Sequence, residues 1–242
     1  MTTKSNVQLP TVTAVIPCFN AGSRLAPVAH AAAEIAGRVI IVDDGSTDDC
    51  VAALADGPGV RCGWSANRGK GFAIIEGFRR ALADDEATHV CVLDADGQHD
   101  PGELPKLYAA ATETEADLLI GARRFDAAQT PLASRIGNRT TAWALRRLLG
   151  DAIHDTQSGY RLHTRRLAHA VVERVEPGRY ETEMRILALA LCEGFVVAEA
   201  PIATLYERGN PSSHFRRVTD SWRVCRALAH AAAEHRKRRR NS

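Results

Sequence analysis

Short apolar runs alternate with longer, Ala-rich segments through the first half of the chain. The short runs end at turn-forming residues, which is typical of buried strands, whereas the longer segments have the spacing of amphipathic helices. This alternation predicts βαβ units, with helices packed on both faces of a mostly parallel sheet. The predicted strands cover residues 12–19, 39–42, 60–64, 89–93 and 118–120, and the predicted helices cover residues 24–36, 47–55, 72–83 and 103–114.

The pattern changes after Gly121. Longer helical segments dominate from there, and no linker rich in Pro, Gly or Ser and no internal repeat interrupts the chain. We therefore expect one α/β domain over residues 1–214 and a separate C-terminal segment over residues 215–242. In this second half the sequence predicts a helix at 132–149, a polar turn at 155–159, helices at 165–173 and 181–193, and a strand pair at 196–200 and 204–206.

Polar clusters directly follow three of the predicted strands. They begin at Asn20, Asp43 and Asp94, and the last two are acidic. Ligands of parallel sheets bind at the edge where the carboxyl ends of the strands meet. We therefore expect these clusters to surround one ligand.

The triplet Asp94-Ala95-Asp96 is the most informative of these clusters. Residues i and i+2 of an extended segment point the same way, so both carboxylates can bind one hard divalent cation. Such an ion would neutralise a diphosphate as it leaves. Gln98 and His99 follow and offer further neutral ligands, while the alternative is a loop of solvated acids.

Two other segments have competing interpretations. Asp43 and Asp44 either form a turn that caps the next helix or supply a carboxylate that accepts hydrogen bonds from a nucleobase. The glycine-rich, basic segment 67–71 is not a Walker A loop, because Gly63 is one residue too far back and Gly71 replaces the required hydroxyl residue. It remains a candidate for a helix start near a phosphate.

Composition and charge narrow the class of protein. Hydrophobic residues make up 45% and charged residues 25% of the 242, which excludes disordered and disulfide-scaffold classes. The six cysteines lack metal-site spacing, so we expect reduced thiols that pack as small apolar groups. No apolar stretch approaches the roughly 20 residues of a membrane span, and the polar start lacks a signal core. We therefore expect a cytoplasmic protein.

The last segment is strongly basic. Residues 215–242 contain nine Lys or Arg against two acids, with an apolar stripe through Trp222. A basic amphipathic helix of this kind lies on an anionic membrane surface, at the inner face of the membrane. The alternative is a helix docked on the domain. We expect no nucleic acid partner, because no aromatic or reader motif accompanies the charge.

Several segments in this order resemble family 2 glycosyltransferases, which have the GT-A fold, a Rossmann-like three-layer α/β sandwich. The subgroup with the strongest similarity is that of the polyprenyl-phosphate enzymes, such as dolichol-phosphate mannose or glucose synthases. The segments that carry the resemblance are residues 14–20, 42–46, 67–71, 93–99, 121–123, 134–138, 155–161 and 180–183.

The resemblance implies a role for each matching residue. Residues that bind the nucleotide sugar donor, with Asp44 on the base, would be Pro17, Phe19, Asp43, Asp44, Lys70, Asp94, Ala95 and Arg208. Asp94, Asp96 and Gln98 would bind Mg²⁺ or Mn²⁺. The residues implied to act in catalysis are Asp96, Arg123, Arg135 and Glu183, and the basic positions associated with phosphate in the subgroup are Arg123, Arg135 and Arg208.

The resemblance also implies a reaction, which is metal-dependent, inverting transfer of a hexose from a nucleoside diphosphate sugar to a polyprenyl phosphate or other lipid acceptor. A hydroxyl acceptor would need a base, and Glu183 or Glu181 is the candidate, whereas a phosphate acceptor needs none. Two departures from the family pattern concern substrate binding. Ala21 stands where the family usually has an acid, and His214 stands in place of a lysine. A nucleotide-sugar-binding protein without turnover is the other alternative.

Overall fold

The computed structural model describes residues 7–54, 57–123, 153–179 and 181–203. These residues form one seven-stranded sheet in the order β3-β2-β1-β4-β6-β5-β7. The strands are β1 (Leu9–Cys18), β2 (Ala36–Asp44), β3 (Val60–Trp64), β4 (His89–Val92), β5 (Leu118–Arg123), β6 (Arg161–Thr164) and β7 (Val197–Ile202). The helices are α1 (Leu25–Ala33), α2 (Lys70–Leu82), α3 (Leu104–Thr114), α4 (Arg165–Arg174) and α5 (Glu181–Cys192).

The sheet is mostly parallel. β1 pairs in parallel with β2 and β4, β2 with β3, and β5 with β7. Only β6 is antiparallel to its neighbours, β4 and β5, among the strands of the described ranges. The carboxyl ends of β1, β2, β3 and β4 therefore share one edge of the sheet.

Helices cover both faces of the sheet. One face packs against α1 and α3, where Leu25, Leu104 and Leu107 are buried. The other face packs against α2, α4 and α5, where Phe78 and Leu187 are buried. Successive side chains of each strand point to opposite faces of the sheet, so each strand contributes apolar residues to the cores on both faces. The predicted three-layer α/β sandwich around a mostly parallel sheet is confirmed.

Two details of the predicted elements are wrong. Residues 47–55 do not form a helix over the part that is described, and only a 3₁₀ turn, Ala52–Leu54, occurs there. Side chains take the backbone N–H groups of this loop instead: Asp43 accepts from Ser46, and Asn20 accepts from Thr47. The strand predicted at 196–200 is present and pairs in parallel with β5, while its predicted partner at 204–206 lies outside the described residues. β6 was not predicted.

Some predictions fall outside the described residues. These are the helix at 132–149, the strand at 204–206 and the C-terminal segment 215–242. Within the described ranges, no helix is both long enough and apolar enough to cross a membrane. Five cysteines lie in the same ranges and none forms a disulfide, and three of them, Cys18, Cys50 and Cys91, are buried as expected for small apolar groups.

Candidate active site

The acidic clusters lie at the edge of the sheet where the parallel strands end. Pro17, near the end of β1, is the strand partner of Val42, and β2 then ends with Asp43 and Asp44. β4 ends at Val92, two residues before Asp94. Parallel pairing of these strands places the three clusters on one edge, as the sequence predicts.

Asp44 is buried and its carboxylate is fully used by the segment that joins β3 to α2. Its Oδ1 accepts from Trp64 Nε1 at 2.7 Å and from the Arg68 amide at 2.8 Å. Its Oδ2 accepts from Asn67 Nδ2 at 2.9 Å and from the Gly69 amide at 2.8 Å. A carboxylate has about four lone-pair sites, so this set is complete. A contact between Asp44 and a nucleobase stays a prediction, and one of these donors would have to give way.

The same segment stacks side chains beside Asp44. The Arg68 guanidinium lies 4.9 Å from the ring centroid of Trp64 and 4.7 Å from that of Phe72. Cation–π contacts of this kind are attractive and add to the hydrogen bonds that hold this segment beside Asp44. Asp43, by contrast, is half-buried, and within the described part of the chain it accepts one hydrogen bond, from the Ser46 amide.

Lys70 joins the end of β4 to the start of α5. Its Nζ lies 2.6 Å from Asp94 Oδ1 and 3.1 Å from Glu183 Oε1. Since Asp44 binds the amide of Gly69, the residue before Lys70, a continuous set of contacts leads from Asp44 to Asp94 and Glu183. These carboxylates therefore border a common site rather than separate surfaces.

Close packing fixes where α2 begins, at Lys70. The Gly71 amide donates to the Gly178 carbonyl at 3.0 Å. A Cβ at Gly71 would lie 1.9 Å from Thr182 Oγ1 and 2.6 Å from the Gly178 oxygen, so no side chain fits there. The absent side chain lets the first turn of α2 touch the start of α5, which brings Lys70 within reach of Glu183.

Asp94 and Asp96 have opposite electrostatic environments. Burial would raise the pKa of Asp94, but the Lys70 ammonium outweighs it and lowers that pKa below its usual range. For Asp96, burial and then the negative charge of Asp94 raise the pKa to about 6. Asp96 also accepts from the Gln98 amide at 2.9 Å. The two carboxylates thus repel each other, and a cation would relieve that repulsion.

A divalent cation fits this pair, although the chain supplies few ligands of its own. No group of three or more His, Cys, Asp or Glu able to hold a metal occurs among the residues that the structure describes. The Asp94 and Asp96 carboxylates are hard oxygen ligands of the kind Mg²⁺ and Mn²⁺ take, and Mg²⁺ sites commonly use one or two carboxylates plus substrate phosphates. The donor set therefore fits a metal that binds together with a phosphate ligand.

Other predicted residues have different surroundings. Arg123 is paired with Asp155, whose carboxylate it grips through Nε at 2.8 Å and a terminal nitrogen at 2.9 Å. Burial would raise the pKa of Asp155, but Arg123 lowers it. The Ala95 side chain packs in the core on the α1 and α3 side, so its predicted contact with the donor could involve only its backbone. Glu181, the other candidate base, is nearly buried, and its Oε2 has no partner among the described residues.

Two predicted phosphate ligands, Arg135 and Arg208, lie outside the described residues, so their role stays a prediction. Phe19 follows β1 directly and is half-buried at the site edge. The backbone N–H of Gln98 donates to the Asp96 carboxylate.

One structural residue of the site escaped the sequence analysis. Arg161 is buried and donates to three backbone carbonyls, those of Ser158 at 2.8 Å, Thr156 at 2.7 Å and Glu183 at 2.6 Å. It therefore ties the polar turn after residue 153 to the start of α5. The only sequence signal was its place at the end of the segment 155–161, where an arginine follows a polar turn.

His99, which the sequence offered as a further neutral ligand, is buried. It lies beside Tyr160, with ring centroids 5.6 Å apart, and both of its ring nitrogens lack a partner in the described ranges. Burial lowers the pKa of His99 to about 4, so the ring is neutral near pH 7. It is therefore a neutral polar group beneath the Asp94 loop.

Fold and site together define an α/β protein with acidic strand ends suited to a cation and a phosphate ligand. The family model of glycosyl transferase family 2 matches residues 13–171. The chain therefore belongs to glycosyl transferase family 2, and it is a glycosyltransferase.

Individual relatives agree with this assignment. The chain is 32% identical over 208 residues to polyprenol monophosphomannose synthase of Mycolicibacterium smegmatis, a match that covers 80% of this chain and 77% of that protein. It is 30% identical over 197 residues to an uncharacterized protein of Methanocaldococcus jannaschii. That match covers 79% of this chain and 80% of the other.

A solved structure confirms the fold. It is glucosyl-3-phosphoglycerate synthase from Mycobacterium tuberculosis in complex with Mn²⁺, uridine-diphosphate-glucose and phosphoglyceric acid. The TM-score is 0.70 at 20% identity, and the match covers 92% of this chain and 80% of that one.

Proposed function

We propose that the protein transfers a hexose from a nucleoside diphosphate sugar to a polyprenyl phosphate, with inversion at the anomeric carbon and with Mg²⁺ or Mn²⁺ as cofactor. The observation that carries the proposal is the cluster of Asp94, Asp96, Lys70 and Glu183 at the sheet edge that also holds Asp44. The polyprenyl product in the name of the Mycolicibacterium relative and the donor in the Mycobacterium structure support the two substrate classes.

Each part of the cluster has a chemical role in this proposal. Asp94 and Asp96, with the side-chain carbonyl oxygen of Gln98, would hold the metal, which would supply positive charge to the leaving diphosphate. The acceptor oxygen forms a bond to the anomeric carbon while the bond from that carbon to the diphosphate breaks on the opposite face. Positively charged groups that hold two anionic reactants in line carry much of the catalysis in such a step. Among the residues that the structure describes, Lys70 is the cation in contact with Asp94 and Glu183.

The surroundings of Glu183 favour a phosphate acceptor over a hydroxyl acceptor. Lys70 donates to Glu183 Oε1 at 3.1 Å, so this oxygen could take a proton from a hydroxyl acceptor only after Lys70 moves away. A phosphate acceptor is anionic and needs no base. The alternative is transfer to a hydroxyl, with Glu183 taking the proton after Lys70 moves away.

The test is diphosphate release by the full chain with Mn²⁺ and a panel of nucleotide sugars, with and without a polyprenyl phosphate. We expect one donor to turn over and the polyprenyl phosphate to accelerate it. Asp96→Ala should abolish the reaction, whereas Asp85→Ala, which removes an exposed acid paired with Arg165, should not. Retention of activity within about threefold in Asp96→Ala would refute the metal role.

Glu183→Gln separates the two acceptor classes. A phosphate acceptor predicts a rate loss of less than about tenfold, because no proton is removed. A loss of about 100-fold or more would instead establish the hydroxyl alternative.

The proposal includes a membrane-bound acceptor, and the C-terminal segment 215–242 supports it by composition. Nine Lys or Arg in this segment would attract an anionic surface at about 1 kcal/mol for each residue near it. We propose the segment as a peripheral anchor appended to a glycosyltransferase domain at residues 1–214. The full chain with residues 236–240 changed to Gln should float less with anionic vesicles than the unchanged chain, and equal flotation would refute the anchor.

A further inference from the structure

Lys70 occupies a position that conflicts with the proposed metal site. Its Nζ lies 2.6 Å from Asp94 Oδ1, one of the two oxygens through which this carboxylate could bind a divalent cation. Ligand oxygens lie about 2.0–2.1 Å from Mg²⁺, so an ammonium in contact with the same oxygen would be strongly repelled by the ion. The cation and Lys70 therefore compete for Asp94.

The charge balance of the site explains why a lysine is there. Asp94 and Glu183 place two carboxylates in contact with one ammonium, Asp96 follows two residues after Asp94, and the Lys70 side chain is only 19% exposed. Partly buried carboxylates without a partner are costly, and removing one partner of a buried ion pair destabilises a protein strongly. In the metal-free protein Lys70 supplies the positive charge that the carboxylates need.

We propose that Lys70 is the internal counter-ion of the metal-free site, which releases Asp94 to the divalent cation and then serves the anionic substrate. The inference deepens the proposed function and rests on it. It makes Lys70 a positioning residue for the metal site, in addition to any contact with the donor.

The inference has a consequence for the order of binding. A cation alone must displace Lys70 from Asp94 and leaves the ammonium with Glu183 only. A cation that arrives with a diphosphate gives Lys70 a new anionic partner. By linkage, a nucleoside diphosphate should strengthen Mn²⁺ binding, and this strengthening should depend on Lys70.

A different role for Lys70 makes the opposite prediction. If Lys70 only bound donor phosphates, its removal would weaken nucleotide binding and leave Mn²⁺ binding without nucleotide unchanged. If Lys70 is the counter-ion, its removal strengthens Mn²⁺ binding in the absence of nucleotide and still lowers the rate of transfer.

The experiment measures free Mn²⁺ by electron paramagnetic resonance in titrations of the full chain without nucleotide. We expect Lys70→Met to bind Mn²⁺ at least about tenfold more tightly than the unchanged protein, a difference of about 1.4 kcal/mol. Lys106→Met is the matched control, since it removes the same charge from a lysine on α3 that is paired with Glu103. It should change the affinity by less than about threefold. Equal or weaker Mn²⁺ binding by Lys70→Met would overturn the inference.

Two further measurements keep the test decisive if Lys70→Met folds poorly. Mn²⁺ should raise the melting temperature of Lys70→Met more than that of the unchanged protein, because the ion replaces the missing charge; an equal rise would overturn the inference. Lys70→Arg keeps the charge and should bind Mn²⁺ within about threefold of the unchanged protein; binding as tight as that of Lys70→Met would overturn it.

The result is separable from the proposed function. If no nucleotide sugar in the panel is turned over, the proposed function fails whatever Lys70 does. If turnover depends on Mn²⁺ and on Asp96, but Lys70→Met binds Mn²⁺ no better, only the counter-ion role fails.

Discussion

Asp44→Asn tests whether the Asp44 carboxylate stabilises the fold, in addition to its predicted contact with the nucleobase of the donor. The substitution keeps the shape of the side chain but replaces one oxygen by an NH₂ group, which cannot accept. Each oxygen accepts two hydrogen bonds, so either orientation of the amide sets an NH₂ group against two donors, at Trp64 and Arg68 or at Asn67 and Gly69.

The expected loss follows from these bonds. Hydrogen bonds to a charged group contribute about 1.5–3 kcal/mol each, so two lost bonds cost about 3 kcal/mol or more. For a chain of this length, that lowers the melting temperature by about 6–12 °C. Calorimetry or urea unfolding monitored by circular dichroism measures the change.

Asp43→Asn is the matched control, because Asp43 is half-buried and accepts from the Ser46 amide alone in the described ranges. We expect it to cost less than about 1 kcal/mol. If Asp44→Asn leaves the free energy of unfolding within about 0.5 kcal/mol and only weakens nucleotide binding, the structural role of Asp44 is refuted.

Three other substitutions test the packing around the site. Burial lowers the pKa of His163 from 6.5 to about 3, so the stability that neutral His163 provides is lost as pH falls from 6.5 towards 3. His163→Leu should therefore reduce the pH slope of the unfolding free energy between pH 6 and pH 4 by about 1.4 kcal/mol per unit, and an unchanged slope would contradict this. Arg161→Met removes the donors of three carbonyls and should cost about 3–5 kcal/mol in urea unfolding, where a loss below about 1 kcal/mol would show that the contacts are dispensable. Gly71→Ala should cost about 1–3 kcal/mol and slow transfer, because the new methyl group collides with Thr182 Oγ1 and displaces α2; a melting temperature equal to that of the unchanged protein would be inconsistent with the close approach.

The helices and strands were predictable where apolar residues recur at the spacing of one helix or strand face. β4 and α2 appear within two residues of their predicted bounds, because their buried positions follow the periods of a strand and a helix. β6 was missed since two of its four residues, Arg161 and His163, are polar yet buried. Two of their carbonyl partners, Glu183 for Arg161 and Val90 for His163, come from other elements of the fold.

Loop 47–55 shows how side chains override a local pattern. Its residues suggested a helix capped by an acid, but Asp48 accepts from the amides of Gly22 and Cys50 instead. The bond from Gly22 joins the loop to the segment that follows β1, which sequence spacing alone does not reveal. Asp and Asn side chains compete for backbone amides in this way.

The candidate site was predictable in part. Asp94 and Asp96 follow a buried strand, and their place at the sheet edge follows from parallel pairing. The partnership of Lys70 with Glu183 joins residues 113 positions apart and depends on the close approach at Gly71. The four donors to Asp44 likewise come from a separate segment, so its saturation was not predictable.

The central claim is that Asp94 and Asp96 hold a divalent cation that binds a nucleoside diphosphate sugar at the carboxyl edge of the sheet. The most direct measurement is an anomalous diffraction map of crystals grown with Mn²⁺ and a nucleotide sugar that the protein turns over. The account predicts an anomalous peak in contact with a carboxylate of this pair and with the diphosphate. An ordered nucleotide sugar with its Mn²⁺ at any other part of the chain would contradict it.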